Sequence, residues 1–351
     1  MAAYISFQPS DHFNTKIYTG NNTAGQSYTG LGFQPDFVWS KSRTAGNYHG
    51  AWDSVRGVEK LMYPTVTNAQ TTTTDGLSAF GADGITFGAN GTTGDSSNFV
   101  NWCWKMGTTS GATFGSADIT PSAYSINTTT GQGVYTYSGT GSSAQTVAHG
   151  LGIAPDWVII KRIEDNGHGW QTTNTKLGFT HTLKIESNGA VSTSTPWWND
   201  TAPTADVVNI GGDSWNNLSG KTFVMYCFTN KRGYSKFGAY EGNGNNDGPF
   251  IYTGFRPAFV ILKESVGGNA GGWIMYDNKR PTTYNVNQDY LQANDAAVEV
   301  NASTYAIDFL SNGFKIGASN GVINGGGNSY IYTAFAEFPF VSSNSIPTVA
   351  R

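Results

Sequence analysis

LGFQPDFVWSK (31–41), LGIAPDWVIIK (151–161) and TGFRPAFVILK (253–263) share one pattern, and reading it decides the fold. Each runs Gly, apolar, any residue, Pro, any residue, aromatic, Val, two more residues, Lys. The prolines are Pro35, Pro155 and Pro257; Lys41, Lys161 and Lys263 each follow six residues later. Proline fixes φ and lacks an N–H, which a strand tolerates where pairing begins. Beyond it side chains alternate between faces: Trp157 and Ile159 oppose Val158 and Ile160, and Phe259 and Ile261 oppose Val260 and Leu262. A strand apolar on both faces is buried on both sides. In the first copy Ser40 interrupts one face, so greater exposure is expected there.

A second shared segment closes each copy: NFVNWCWK (98–105), TFVMYCFT (222–229) and SYIYTAFA (329–336). Aligned without gaps, Phe99, Phe223 and Tyr330 correspond, as do Val100, Val224 and Ile331, and Trp104, Phe228 and Phe335. These also read as strands. Before them, FGADGITFG (80–88) and FLSNGFKIG (309–317) place Asp83-Gly84 and Asn312-Gly313 between short apolar runs, a hairpin signal. The second copy is more diverged here, with VVNIGGDSWNN (207–217). A middle element recurs as Trp52, Asp53 and Arg56, as Trp273, Asp277 and Arg280, and as Trp170, Asn174 and Lys176. The Asp-x-x-Arg pairs are expected to brace turns as exposed ion pairs, worth at most about 1 kcal/mol each.

The chain is therefore expected to be all-β, with three tandem diverged β-sandwich-like repeats. They span 13–107, 125–231 and 232–340; 1–12 and 341–351 fall outside, and the Gly-, Ser- and Thr-rich stretch 108–124 reads as a linker. Composition agrees. Of 351 residues, 14% are aromatic and 45 are Gly, which favours strands and tight turns. Charged residues are only 13%, so the polar surface must be made from Gly, Ser, Thr and Asn. A net charge of -4 gives no basic footprint, so no nucleic-acid partner is expected. No run is apolar enough to insert in a membrane. MAAYISFQPSDHF (1–13) lacks a basic stretch followed by an apolar run, so no signal peptide is expected.

Little reads as catalytic chemistry. Cys103 and Cys227 occupy one position of the closing strand, and Ala334 fills it in the third copy; such a slot wants a small apolar group. His12, His49, His149, His168 and His181 show no compact metal-ligand spacing. Ser219-Gly220-Lys221-Thr222 resembles the end of a phosphate loop, but Trp215 stands where its first Gly belongs. Glu241, Glu264 and Glu337 offer no favoured carboxylate pair. No cofactor and no metal are expected. The candidate ligand-binding residues are Trp197, Trp198, Asn199 and Asp200 in a polar, Pro-containing run, with Trp170 in the loop 166–170. Aromatic rings in such loops can stack on sugars; the alternative is packing on a neighbouring unit or subunit.

ISFQPSDHFNTKIYTGNN (5–22), GFQPDFVWSKSR (32–43), WDSVRG (52–57), GFRPAFVILKES (254–265) and SYIYTAFAEFPF (329–340) resemble marine bacteriophage virion proteins of the cyanophage and pelagiphage kind, tail-fibre or structural. The resemblance implies a non-enzymatic protein located in the virion, in contact with other virion proteins and oligomeric, a trimer by analogy. It implies receptor binding, to a host surface glycan or envelope, as a tail fibre or knob. The sequence carries no coiled-coil or collagen-like shaft, so a short fibre, knob or decoration subunit suits its length. An architectural capsid decoration or cement protein is the alternative, and a polysaccharide depolymerase a third.

Overall fold

The computed structural model describes residues 5–193, 195–268 and 271–341. The first third supplies β1 (Phe13–Thr19), β2 (Gln26–Thr29), β3 (Phe37–Ser42), β4 (Gly50–Asp53), β5 (Lys60–Leu61), β6 (Thr71–Thr72), β7 (Leu77–Gly81), β8 (Gly84–Phe87) and β9 (Asn98–Trp104). The second supplies β10 (Ala123–Asn127), β11 (Gln132–Ser138), β12 (Gln145–Ala148), β13 (Trp157–Arg162), β14 (Gln171–Asn174), β15 (His181–Lys184), β16 (Ser192–Thr193), the short helix α1 (Thr195–Trp198), β17 (Val207–Ile210) and β18 (Thr222–Phe228). The third supplies β19 (Ser235–Glu241), β20 (Phe250–Tyr252), β21 (Phe255–Val266), β22 (Ile274–Asp277), β23 (Asp289–Gln292), β24 (Val300–Asn301), β25 (Ile307–Leu310), β26 (Gly313–Ile316), helix α2 (Gly321–Asn324) and β27 (Ser329–Pro339).

The protein is all-β, and among the described residues its pairings are antiparallel apart from one parallel bridge, Ile119 to Val147. One strand order recurs in the three large sheets: β1-β9-β3-β4, β11-β18-β13-β14 and β19-β27-β21-β22. The closing strand lies between the first strand and the proline-led strand each time. A smaller sheet covers the outer face of each: β2-β8-β7, β12-β17 and β20-β26-β25. Each third is thus a two-layer sandwich. Its outer core holds Val38, Trp52 and Cys103 in the first, Val158, Ile160 and Cys227 in the second, and Val260, Leu262 and Ala334 in the third.

The inner faces are buried except toward the far ends of β1 and β19, where Ile17 and Ala239 are exposed. They face one another and fuse into a single core that draws on all three thirds. Register sets its layers. Trp104 opposes Phe13 and Phe37, Phe228 opposes Gln132 and Trp157, and Phe335 opposes Ser235 and Phe259. The three equivalent aromatics touch: ring centroids lie 6.3 Å apart for Trp104–Phe228, 5.5 Å for Trp104–Phe335 and 5.7 Å for Phe228–Phe335. Three sheets therefore stand around one pseudo-threefold axis, as the sides of a triangular prism. Phe13 stacks on Phe335 at 5.3 Å, and Phe7 meets Tyr234 at 5.6 Å, so the N-terminal segment closes this end of the axis.

Charge joins the sheets as well. The Trp102 indole donates to Asp277 across the axis at 3.0 Å, and the Tyr226 hydroxyl donates to Asp53 at 2.7 Å. Trp102 and Tyr226 are equivalent closing-strand positions. Asp53 pairs with Arg56 and Asp277 with Arg280, and Arg280 continues to Glu299 and Arg43. The expectation of exposed braces is corrected: the paired side chains Asp53, Arg56, Asp277 and Arg280 are at most 2% exposed. Removing one partner of such a buried pair costs about 3–5 kcal/mol, because the other charge is stranded.

Other expectations are corrected in detail. Ser40 is fully buried and donates to the Thr92 carbonyl at 3.1 Å, so β3 is as enclosed as its counterparts. The hairpin turns fall on Ala82-Asp83 and Ser311-Asn312, one residue earlier than the Asp-Gly and Asn-Gly pairs. Gly84 and Gly313 serve a different purpose. A Cβ there would lie 2.1 Å from the carbonyl oxygens of Tyr28 and Ile251 on the neighbouring strand. The stretch read as a linker lies on the second third, through bridges Thr108–Ile126 and Ile119–Val147.

The slot shared by Cys103, Cys227 and Ala334 points away from the axis into three separate outer cores, and burial pushes both thiols up from the ordinary range. Cys103→Ala should cost about 1 kcal/mol, the scale of one buried methylene. Trp104→Ala, one residue on and facing the axis, should cost about 3–5 kcal/mol. Urea denaturation of the two variants checks both values.

Candidate functional site

In each sheet the strands run from the aromatic layer at one end to a lysine at the other. Lys41, Lys161 and Lys263 lie opposite Val100, Val224 and Ile331. They follow Phe37, Trp157 and Phe259 by four residues, so period-two alternation turns them to the inner face. All three are buried. Lys41 Nζ donates to the carbonyls of Asn47 and, in the third unit, Ala296, both at 2.9 Å. Lys263 Nζ donates to Gly271 at 2.8 Å and to Asn188 of the second unit at 3.2 Å. Lys161 Nζ donates to the Arg162 carbonyl at 2.7 Å. Lys41 and Lys263 thus gather loop carbonyls and reach a neighbouring unit, while Lys161 bonds to its own strand.

The loops at this end form a crown. A tyrosine pegs the first loop of each unit to its last: the hydroxyl of Tyr18 donates to Thr93 O at 2.6 Å, that of Tyr137 to Asn216 O at 2.5 Å, and that of Tyr240 to Ile323 O at 2.8 Å. Two residues after each peg comes Gly20, Gly139 or Gly242. A Cβ on these would lie 1.9, 2.4 and 2.3 Å from the backbone oxygens of Asp95, Leu218 and Gly325. Asparagines then fasten the loops internally. Asn324 Nδ2 faces Asn243 Oδ1 at 3.0 Å and the carbonyls of Asn245 and Ala318 at 2.8 Å. Asn217 accepts from Thr140 N and donates to Ser142 O.

At the crown of the third unit lies an open cavity of about 360 Å³ lined by Asn246, Ser303, Thr304, Gly317, Ser319 and Asn320. Asn246 is fixed by Ser319 N, and Asn320 caps α2 by accepting from Val322 N. The lining is amide, hydroxyl and glycine backbone, with no titratable group. Such a surface exchanges hydrogen bonds with a polyhydroxylated ligand and has nothing to move a proton at neutral pH. Among the described residues, no three His, Cys, Asp or Glu side chains gather as metal ligands, and no helix is long and apolar enough to cross a membrane.

The residues singled out from the sequence are dispersed. Trp170 is buried in the axial core and its indole donates to Tyr63 O of the first unit at 2.9 Å. Trp273 does the same toward Lys184 O of the second unit, also at 2.9 Å. His49 immediately precedes β4 as these tryptophans precede β14 and β22, and its ring faces the Gln292 backbone of the third unit, though Nε2 makes no well-formed hydrogen bond. Trp52, grouped with these tryptophans by sequence, instead lies in an outer core opposite Val38. Trp198 is also fully buried. The Trp197 carbonyl accepts from Gly211 N as those of Gly76 and Ala306 accept from Gly88 and Gly317. Trp198 therefore fills the place of Leu77 and Ile307, and α1 replaces the hairpin strand that the second unit lacks. Trp197 is half-buried against the same core, Asn199 is half-buried and Asp200 is exposed. Stacking on Trp170 or Trp198 from solvent has no open ring face to use. The outward groups of this stretch are the Trp197 edge, Asn199 and Asp200.

Sequence reading missed the pegs and the cavity. A signal for the pegs was present: Tyr18-Thr19-Gly20, Tyr137-Ser138-Gly139 and Tyr240-Glu241-Gly242 repeat one Tyr-x-Gly pattern. The cavity has none, because its lining comes from three separate connections of the third unit.

Burial holds all three lysines down to about 8 from 10.5. Between those values the unfolded chain binds more protons than the folded one, so stability rises with pH through that window. Lys263→Met removes one share of the effect. Urea denaturation from pH 8 to 9.5 should give a steeper rise for the parent protein than for the variant.

The profile of one family, described as a domain of unknown function (DUF7483), matches residues 8–339. No curated protein and no solved structure matches the chain.

Proposed function

The chain belongs to the DUF7483 family, and from its architecture we propose that it is a non-enzymatic surface protein of a bacteriophage virion, of the tail-fibre or knob kind, that recognises a glycan or envelope component of the host. The observation that carries this reading is the position of the uncharged cavity at the crown. Phe13 and Pro339, near the limits of the family match, both lie toward the aromatic end of the axis. The crown lies at the other end, where it can project toward the host. Its loops are held by backbone and amide hydrogen bonds, so little order has to be gained on binding. Further copies of the chain, three by analogy, belong to the same reading; the internal pseudo-threefold already gives one chain the arrangement that three chains would otherwise supply.

Two variants test the crown. Ser303→Ala with Thr304→Val strips hydroxyls from the cavity. Asn199→Gly with Asp200→Gly removes the outward groups of the second unit while keeping a backbone whose φ values are 51° and 46°. Binding of labelled protein to host cells should fall about ten-fold or more in the cavity variant, the loss of about 1.4 kcal/mol that one or two hydrogen bonds supply. Absence of host binding by the parent protein, with a virion copy number that follows capsid symmetry, would replace this reading with capsid decoration.

A further inference from the structure

The aromatic end of the third unit carries a second cavity of different character. An open cleft of about 290 Å³ lies between the start of β19 and the end of β20, lined by Lys231, Arg232, Ser235, Lys236, Tyr252 and Thr253 among others. No carboxylate lines it. The chain is poor in charge, yet KRGYSK (231–236) sets three of its 20 Lys and Arg within six residues. Among the described residues neither Lys231 nor Lys236 joins an ion pair. Across from them the Tyr252 side chain stands out from β20, with the residue 57% exposed. An exposed aromatic ring and ammonium groups outside any ion pair thus converge on one concave surface, at the small end of the size range for small-molecule sites.

We propose that this cleft binds an acidic saccharide, a sugar unit bearing carboxylate or sulfate. The two ammonium groups attract the anion. The Tyr252 ring offers a flat apolar face to the sugar, while the hydroxyls of Ser235 and Thr253 are held inward by the carbonyls of Thr229 and Phe255 and form the floor. A neutral sugar would leave both lysines without a counter-charge, and an anion without a ring would leave Tyr252 in water. The cleft is at the opposite end from the crown, so this inference does not depend on the reading of the crown cavity.

The test is calorimetric titration of the full chain at low salt with tri-galacturonate and with a chondroitin sulfate tetrasaccharide. Maltotriose serves as the neutral control and tetraglutamate as the acidic control without a sugar. At least one acidic saccharide should bind, more weakly as salt screens the cleft. Its affinity should fall about ten-fold or more in Lys231→Ala/Lys236→Ala and in Tyr252→Ala, as charge-assisted and ring contacts are removed. Lys231→Arg/Lys236→Arg should keep most of it. Unchanged melting temperatures would assign the losses to the cleft. The proposal is overturned if neither acidic saccharide binds, if the alanine variants bind as well as the parent, or if tetraglutamate binds equally tightly.

Discussion

Trp104, Phe228 and Phe335 meet where three sheets would otherwise expose their inner faces, and most of the architecture follows from that contact. A sandwich covered only on its outside leaves an apolar face in water. Here each inner face is covered by the other two, so no third of the chain completes its core alone. The axis also explains where the strongest polar contacts lie. The Asp53 and Asp277 carboxylates are paired with arginine and receive Tyr226 and Trp102 from neighbouring sheets. Direction is consistent around the ring: Trp170 reaches back to the first unit, Trp273 to the second, and Lys41 to the third.

The sequence made the strands legible because period-two alternation and a repeated proline-to-lysine spacing both survive divergence. It placed Cys103 and Cys227 in a packing slot, because a position that accepts Cys or Ala must be small and dry. It did not disclose the axis. An apolar face states that it needs a partner, and tandem repeats are compatible with a row of units as well as with a ring. The buried state of Asp53–Arg56 and Asp277–Arg280 was hidden for the same reason, since their enclosure comes from neighbouring sheets. Trp198 was open to two readings, because a tryptophan in a polar run suits a binding loop as well as a packing role. In the fold Trp198 replaces a missing strand residue, the place held by Leu77 and Ile307 elsewhere.

One end of the prism is therefore packed with aromatic rings and the other carries loops. Tyr18, Tyr137 and Tyr240 fasten the first and last loops of each unit, and Lys41 and Lys263 bond to other loops of neighbouring units. A crown built this way can vary in its outward groups without disturbing the axis. The uncharged cavity of the third unit and the half-exposed stretch of the second differ in this sense while sharing one scaffold. The basic cleft beside Tyr252 departs from the uncharged character of the crown cavity, although the strands that border it, β19 and β20, belong to the recurring sheets.

The shared axial core is tested most directly by native-state hydrogen exchange on Phe335→Ala. The slowest amides of β9, β18 and β27 report the opening of the first, second and third sheets separately. If one core joins them, protection falls by the same free energy in all three strands, although the substitution lies in the third alone. A loss confined to β19, β21 and β27, with β9 and β18 unchanged, would contradict the account and return the chain to three independent sandwiches.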